Sequence, residues 1–293
     1  MAKNRYTFML RDFRQKFQSN LELIFPTTEI DSFFFLLTES YLKKSRLDIA
    51  LNPNFKISEA ENALFENALN QLKKSVPIQY ILGETEFFGL KFKVNDAVLI
   101  PRPETEELVE WILQDFKNSE KKLSVLDIGT GSGCIPIALA KKLASAELSA
   151  MDISENALEV ARENARLNAV DVAFKLQNIL ETETLAEKFD IIVSNPPYVR
   201  ELEKNEMSEN VLKYEPKSAL YVGDDDALIF YRKITKLAKN ALKKNGVLYF
   251  EVNQYLGTET ENLIQEFGFE TQLKKDIFGN HRMIKATLKD ESY

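Results

Sequence analysis

Four consecutive residues, Asn195-Pro196-Pro197-Tyr198, hold more reaction chemistry than any other short stretch of this sequence. Each proline fixes φ and lacks an N–H, so the carbonyl of Pro196 can be held in a cavity with no competing donor beside it. A primary amide or exocyclic amine has two N–H bonds and one delocalised, weakly nucleophilic lone pair. The Asn195 side-chain oxygen and the Pro196 carbonyl are two acceptors, enough to take both hydrogens and turn such a nitrogen toward an electrophile. Tyr198 is placed to stack on the planar group. The blander reading is a Pro-Pro turn with a capping asparagine, and the upstream sequence bears on the choice.

Upstream, Asp127-Ile128-Gly129-Thr130-Gly131-Ser132-Gly133 stands between an apolar run and a helical one. There glycines let backbone approach a ligand, and the free N–H groups of a helix start can face it. Alone the run also suits a ligand-free turn or a dinucleotide. Its spacing departs from G-x-G-x-x-G, however, and no Lys-Ser/Thr pair follows for a phosphate loop. Asp127, directly before the glycines, suits the cationic amino-acid end of S-adenosylmethionine, reached directly or through water. Asp152, about 20 residues on, sits where a carboxylate accepts both ribose hydroxyls; Ser154 is the better helix cap. Asn178 and Ile179 fall where the adenine would lie.

The expected cofactor-binding residues are therefore Asp127, Ile128, Gly129, Thr130, Gly131, Asp152, Ile179 and Asn195. Asn195, Pro196 and Tyr198 are expected to be catalytic, with Pro197 joining them in substrate binding. The expected reaction is in-line methyl transfer with no covalent enzyme intermediate and no metal.

The surrounding pattern supplies elements to position these groups. Residues 1 to about 75 read as helical. Tyr6, Phe8, Met9, Phe13 and Phe17 recur at three- and four-residue spacings, as do Ile30, Phe33, Phe34, Leu37 and Tyr41. A third helix starts at the capping box Ser58-Glu59-Ala60-Glu61, and Pro77 stops it. Between Ile78 and Pro103 short β-type runs flank Gly89 and predict a hairpin joining two domains. From Ser124 strands alternate with helices, which predicts a mostly parallel sheet covered on both faces. Its strands are expected at 124–128, 147–151, 172–176, 190–194, 247–252, 270–275 and 283–288. The expected organisation is a helical domain over 1–77, a hairpin linker over 78–103 and an α/β, Rossmann-like class I methyltransferase domain over 104–293.

Composition narrows the function. A net charge of -7 weighs against a dominant basic surface for long nucleic acid, so no stable nucleic-acid binding is expected. A single histidine, His281, assigned to a surface turn, leaves few options for metal or triad chemistry. Asp224-Asp225-Asp226 reads as a helix start. The lone cysteine, Cys134, excludes an internal disulfide and reads as a small buried residue at a helix start. No apolar run approaches the roughly 18 to 20 residues of a membrane span. The first residues lack the features of a secretion signal, so a cytoplasmic monomer is expected.

Beyond these motifs the sequence resembles the release-factor glutamine methyltransferases, the PrmC or HemK family, over nearly its whole length. The resemblance rests on Asn195-Pro196-Pro197-Tyr198, Pro77-Ile78-Gln79-Tyr80-Ile81-Leu82-Gly83, Glu86-Phe87-Phe88-Gly89-Leu90 and Val98 to Glu106. Tyr214-Glu215-Pro216 with Ala219-Leu220 also matches. It implies transfer to the side-chain amide of the glutamine in the Gly-Gly-Gln motif of class 1 peptide-chain release factors, with the helical domain docking the protein substrate. Where that family commonly carries an acidic residue followed by an aromatic one, this chain has Asn178-Ile179. By residue chemistry alone, a ribosomal-protein glutamine and a nucleic-acid adenine remain alternative acceptors, and a non-catalytic cofactor-binding module is a third reading.

Overall fold

Apolar side chains recurring every three or four residues organise the N-terminal part of the chain, whose computed structural model describes residues 7–289. Contacts divide the chain into two units, the first ending at Gly83 and taking in Glu209–Tyr214, the second holding the rest. The first contains β1 (Thr7–Met9), α1 (Leu10–Leu21), α2 (Thr27–Leu42), α3 (Arg46–Leu51), β2 (Lys56–Ser58), α4 (Glu59–Leu72) and α5 (Ile78–Leu82). Leu10, Phe13, Phe17 and Leu21 of α1 form one buried stripe, and Ile30, Phe33, Phe34 and Leu37 of α2 another. They meet Phe65, Ala68, Leu69 and Leu72 of α4, with the Phe13 and Phe65 rings 5.1 Å apart. The predicted capping box is present: the Glu61 N–H donates to Ser58 Oγ at 3.2 Å and the Ser58 N–H to Glu61 Oε2 at 2.7 Å.

Two expectations for this region change, and a third falls where nothing tests it. Tyr6 lies outside the described residues. Phe8 and Met9 belong to strand β1, because pairing with Lys56–Ser58 supplies the hydrogen bonds a longer helix would otherwise provide. Ile78–Leu82 is helical, opened by Pro77 and closed by Gly83 at φ 70°, although its apolar run is too short for periodicity to distinguish strand from helix.

The second unit begins with the hairpin β3 (Glu84–Phe87) and β4 (Leu90–Lys93), then α6 (Pro103–Phe116), β5 (Ser124–Ile128), α7 (Cys134–Lys142), β6 (Glu147–Asp152), α8 (Glu155–Leu167), β7 (Ala173–Leu176) and β8 (Phe189–Ser194). Next come β9 (Val199–Arg200), α9 (Glu209–Tyr214, grouped with the first unit), α10 (Lys217–Leu220) and β10 (Tyr221–Val222). The chain continues through α11 (Ile229–Ala241), β11 (Leu242–Glu251), α12 (Gly257–Glu266), β12 (Phe269–Lys275) and β13 (His281–Leu288). Seven strands form one sheet in the order β12-β13-β11-β8-β5-β6-β7. Only β13 points opposite to the other six strands, so the predicted Rossmann-like, mostly parallel sheet is what the chain forms.

Alternation along the strands builds a core on each face. Val125, Ile191, Val193 and Tyr249 pack on one side with Leu108, Trp111 and Ile137, while Leu126, Ile128, Ile192 and Phe250 pack on the other with Tyr231 and Ile234. The hairpin contributes Phe87 and Phe92 to the first of these cores. Its second strand is fastened to α8, for Asn164 accepts from the Lys93 N–H at 2.6 Å and donates to the Lys93 carbonyl at 3.0 Å. Asn168 donates to the Lys91 carbonyl at 2.8 Å. Phe87 is buried and Phe88 packs beside it, so both serve the hairpin's packing.

Smaller corrections follow from pairing. His281 opens strand β13 opposite Lys275 instead of lying in a turn. Asp224–Asp226 form a separate 3-10 turn before α11, where Asp226 binds Arg232. Strand β11 starts at Leu242, with an irregularity before Val247. Among the described residues no helix is long and apolar enough to cross a membrane.

Candidate active site

Sheet register brings the motifs together. Ile128 at the carboxyl end of β5 pairs with Met151 of β6 on one side and Ser194 of β8 on the other. The chain crosses from β5 to β6 and β7 and then returns to β8 on the far side of β5, making the switch point where parallel α/β sheets bind ligands. Ser194 Oγ ties the two strand ends by donating to the Ile128 carbonyl at 2.6 Å. A cavity of about 370 Å³ opens here, lined by residues of the glycine loop, the ends of β6 and β7, the segment after β8 and residues 97–105.

The glycine loop is shaped by its own backbone. The N–H groups of Gly129 and Thr130 both donate to the Met151 carbonyl, at 2.9 and 3.0 Å. Gly129 and Gly131 have φ of 77° and 53°, and a Cβ added at either would meet open space, so conformation is what excludes larger residues there. At Gly133 packing excludes them as well, since a Cβ would come within 3.0 Å of Ile137 Cδ1. Asp152 holds the loop from β6: its Oδ2 accepts from the Gly131 N–H at 2.8 Å and its Oδ1 from the Ser154 N–H at 2.9 Å. Each oxygen keeps a second lone pair. Ser154, as expected, caps α8 by accepting from the Ala157 N–H.

Asp127 lies behind this loop, fully buried and off the cavity wall. Neither of its carboxylate oxygens has a partner of good hydrogen-bond geometry, the nearby Thr130 hydroxyl included. Burial pushes the Asp127 carboxyl up to about 7, the Thr130 hydroxyl easing the shift and the Asp152 charge adding to it. A buried carboxylate without good donors is costly, so the group favours its protonated form unless a positive charge comes close. Gln177 also has a buried, unpartnered Oε1 while its Nε2 donates to Thr182 Oγ1 at 2.8 Å. It lines the cavity with Asn178 and Ile179. Gln177 was missed from sequence; its place at the end of β7 was the available signal.

Asn195, Pro196 and Pro197 all line the cavity. The Asn195 Nδ2 donates to Thr105 Oγ1 at 3.3 Å, and Thr105 donates to Glu251 Oε2 at 2.6 Å. Tyr198 is not on the cavity wall: its ring packs against the core that includes Phe250, and its hydroxyl donates to Glu251 Oε1 at 3.0 Å. Its carbonyl accepts from Asn253 Nδ2 at 2.9 Å. The stiff segment before α6 also closes on the site, since Glu215 accepts from Arg102 Nη2 at 2.5 Å and from the Ile100 N–H at 3.2 Å. Cys134 is buried at the start of α7, where desolvation raises its thiol to about 12. Among the described residues, no group of three or more His, Cys, Asp or Glu side chains gathers where a metal ion would be held.

These features have counterparts in known proteins. A family model described as methyltransferase small domain matches residues 108–223, and one described as PrmC N-terminal domain matches residues 13–83. A release factor glutamine methyltransferase of Flavobacterium psychrophilum is 54% identical over 284 residues, 96% of this chain and 100% of the relative. Another, of Bacteroides thetaiotaomicron, is 41% identical over 285 residues, 97% of this chain and 99% of the relative. Among solved structures, a methyltransferase from Pyrococcus furiosus matches with a TM-score of 0.51 at 20% identity, covering 69% of this chain and 91% of that one. That last likeness is one of fold.

Proposed function

The chain belongs to the release factor glutamine methyltransferase family, and on that premise we propose that it methylates the side-chain amide nitrogen of the glutamine in the Gly-Gly-Gln motif of class 1 peptide-chain release factors, with S-adenosylmethionine as donor. The observation that carries the chemistry is the meeting of Asn195-Pro196-Pro197 and the glycine loop in one cavity. Thr130 on the cavity wall, with Asp127 buried behind it and reached through water, suits the cofactor's amino end. Asp152 suits the ribose, with Ile128, Gly129 and Gly131 forming the backbone bed. Gln177, Asn178 and Ile179 form the wall for the adenine. Bound there, S-adenosylmethionine supplies a methyl group on a positively charged sulfur that leaves as a neutral thioether.

The chain's own contribution is positioning. Asn195 Oδ1 and the Pro196 carbonyl accept the two amide hydrogens, which holds the nitrogen's remaining face toward the methyl group. As the new N–C bond forms the nitrogen becomes acidic, and one of its protons passes to water. Each positioned acceptor of this kind is worth about 3 kcal/mol in the transition state. Pro197 lines the same cavity, and Tyr198 anchors the end of the tetrapeptide. The helical first unit is assigned the docking of the release factor. Such an enzyme works in the cytoplasm with its translation partner, as a monomer and without stable nucleic-acid binding.

The direct test is transfer from labelled S-adenosylmethionine to a purified class 1 release factor and to its Gly-Gly-Gln glutamine-to-alanine variant. Label appears on the first and not the second; label that persists on the variant overturns the reading. Asn195→Ala is expected to lower transfer about 100-fold or more while cofactor affinity, read by calorimetry, stays largely intact.

A further inference from the structure

Glu251 ends β11 and is 1% exposed. It stands behind the cavity wall and touches it only through other side chains. An apolar residue would fill such a position at less cost, because a carboxyl group taken out of water must be compensated by hydrogen bonds. Both of its oxygens are engaged by groups belonging to the site. Oε2 accepts from the Thr105 hydroxyl at 2.6 Å and Oε1 from the Tyr198 hydroxyl at 3.0 Å.

We propose that Glu251, acting through Thr105, is the positioning residue that decides which end of the Asn195 side-chain amide faces the acceptor nitrogen. This rests on the reading of Asn195 as a hydrogen-bond acceptor for the substrate amide. The two ends of an asparagine amide have nearly the same shape, so packing does not choose between them. The wrong choice sets an NH₂ group of the enzyme against the NH₂ group of the substrate. Hydrogen-bond direction makes the choice instead. An ionised carboxylate only accepts, and a threonine hydroxyl has one proton to give. With that proton spent on Glu251, Thr105 Oγ1 presents lone pairs, and the Asn195 Nδ2 donates to them at 3.3 Å. The Asn195 oxygen is thereby left for the acceptor.

The same carboxylate fixes the other end of the tetrapeptide through Tyr198. The sheet provides the common frame, for Phe250 of β11 pairs with Ser194 of β8, so Glu251 and Asn195 both follow directly on paired residues. Burial raises the proton affinity of Glu251, while the hydrogen bonds from Thr105 and Tyr198 and the positive charge of Arg282 oppose this. Burial remains the larger effect, so the acceptor-only form that the direction of the chain requires rests on the two hydroxyl donors at 2.6 and 3.0 Å.

The test compares Thr105→Val, which keeps shape and loses the hydroxyl, with Thr105→Ser, which keeps the hydroxyl, alongside Glu251→Gln and the Thr105→Val/Glu251→Gln double variant. Methyl transfer to a release factor gives kcat and KM, calorimetry gives cofactor affinity, and a thermal melt reports folding. Thr105→Val is expected to lower kcat about 10- to 100-fold, with KM and cofactor affinity little changed, and Thr105→Ser to recover most of the loss. Glu251→Gln should fall similarly, and the double variant should be no worse than the worse single one, because the two residues act in series.

Wild-type kcat in Thr105→Val overturns the inference, as does equal impairment in Thr105→Ser, a loss confined to cofactor affinity, or losses that multiply in the double variant. If Glu251→Gln fails to fold, the valine and serine pair decides. Asn195→Ala separates the two levels of argument. Lost transfer there with an active Thr105→Val sinks only this inference, whereas wild-type transfer in Asn195→Ala sinks the reading beneath it.

Discussion

Asp127→Asn should make the cofactor-free protein more stable at pH 8 while weakening its hold on the cofactor. The Asp127 carboxyl is fully buried, and desolvation pushes it from its usual 3.8 up to about 7, an effect the Thr130 hydroxyl only partly offsets. Between roughly pH 4 and 7 the folded chain therefore holds a proton that the unfolded chain has released, and stability falls as pH rises through that window. The contribution is full below about pH 4 and gone above about pH 7. At about 1.4 kcal/mol per pH unit the difference amounts to about 4 kcal/mol. Asparagine keeps the shape and cannot ionise, but its amide brings hydrogen-bonding needs of its own, so the expected gain at pH 8 is about 2–4 kcal/mol. Urea unfolding of both proteins without cofactor, from pH 4.5 to 8.5, measures it as the difference between the two curves. The same linkage makes cofactor affinity of the natural chain rise with pH through about 7, since a cation favours the ionised carboxylate, and makes that of Asp127→Asn low and flat. A stability difference independent of pH, or a variant less stable at pH 8, would refute the argument.

Two further expectations concern the scaffold. Asn164→Ala removes the side chain joining the Lys93 backbone to the Ser132 carbonyl of the glycine loop. It should cost about 2–4 kcal/mol in chemical unfolding and lower cofactor affinity through the loosened loop; unchanged affinity would show that the loop keeps its shape unaided. Phe65→Ala, at a fully buried position among Phe13, Phe34 and Tyr41, should cost about 3–5 kcal/mol in the same assay. A loss below about 1 kcal/mol would mean the helices repack around the gap.

What could be read in advance was local. The strands 124–128 and 190–194 are largely apolar and buried on both faces, and the glycine loop and tetrapeptide declare themselves by residue type, so the sheet and the motifs that meet at the cavity were legible. Ile78–Leu82 was not, because one helical turn of apolar residues has no period to detect. Phe8 and Met9 became a strand through pairing with Ile57 and Lys56, nearly 50 residues away. Thr105 and Glu251 were missed for the same reason at greater range: their hydrogen bond spans 146 positions, and neither residue is unusual in its own neighbourhood. Asp127 was expected on the cofactor side of the glycine loop, and strand alternation puts its side chain behind the loop with the buried face of β5.

The sheet's one reversed strand also constrains how the chain folds as it is synthesised. Strand β12 has only β13 as a neighbour, and β11 needs β13 to cover its second edge. Until residues 281–288 have been made, both β11 and β12 present unpaired backbone, and β11 carries the apolar run Val247-Leu248-Tyr249-Phe250. Such an edge invites pairing with another chain. A nascent or truncated chain ending before His281 should therefore be prone to aggregate, even though every residue lining the cavity at the switch point lies upstream of it.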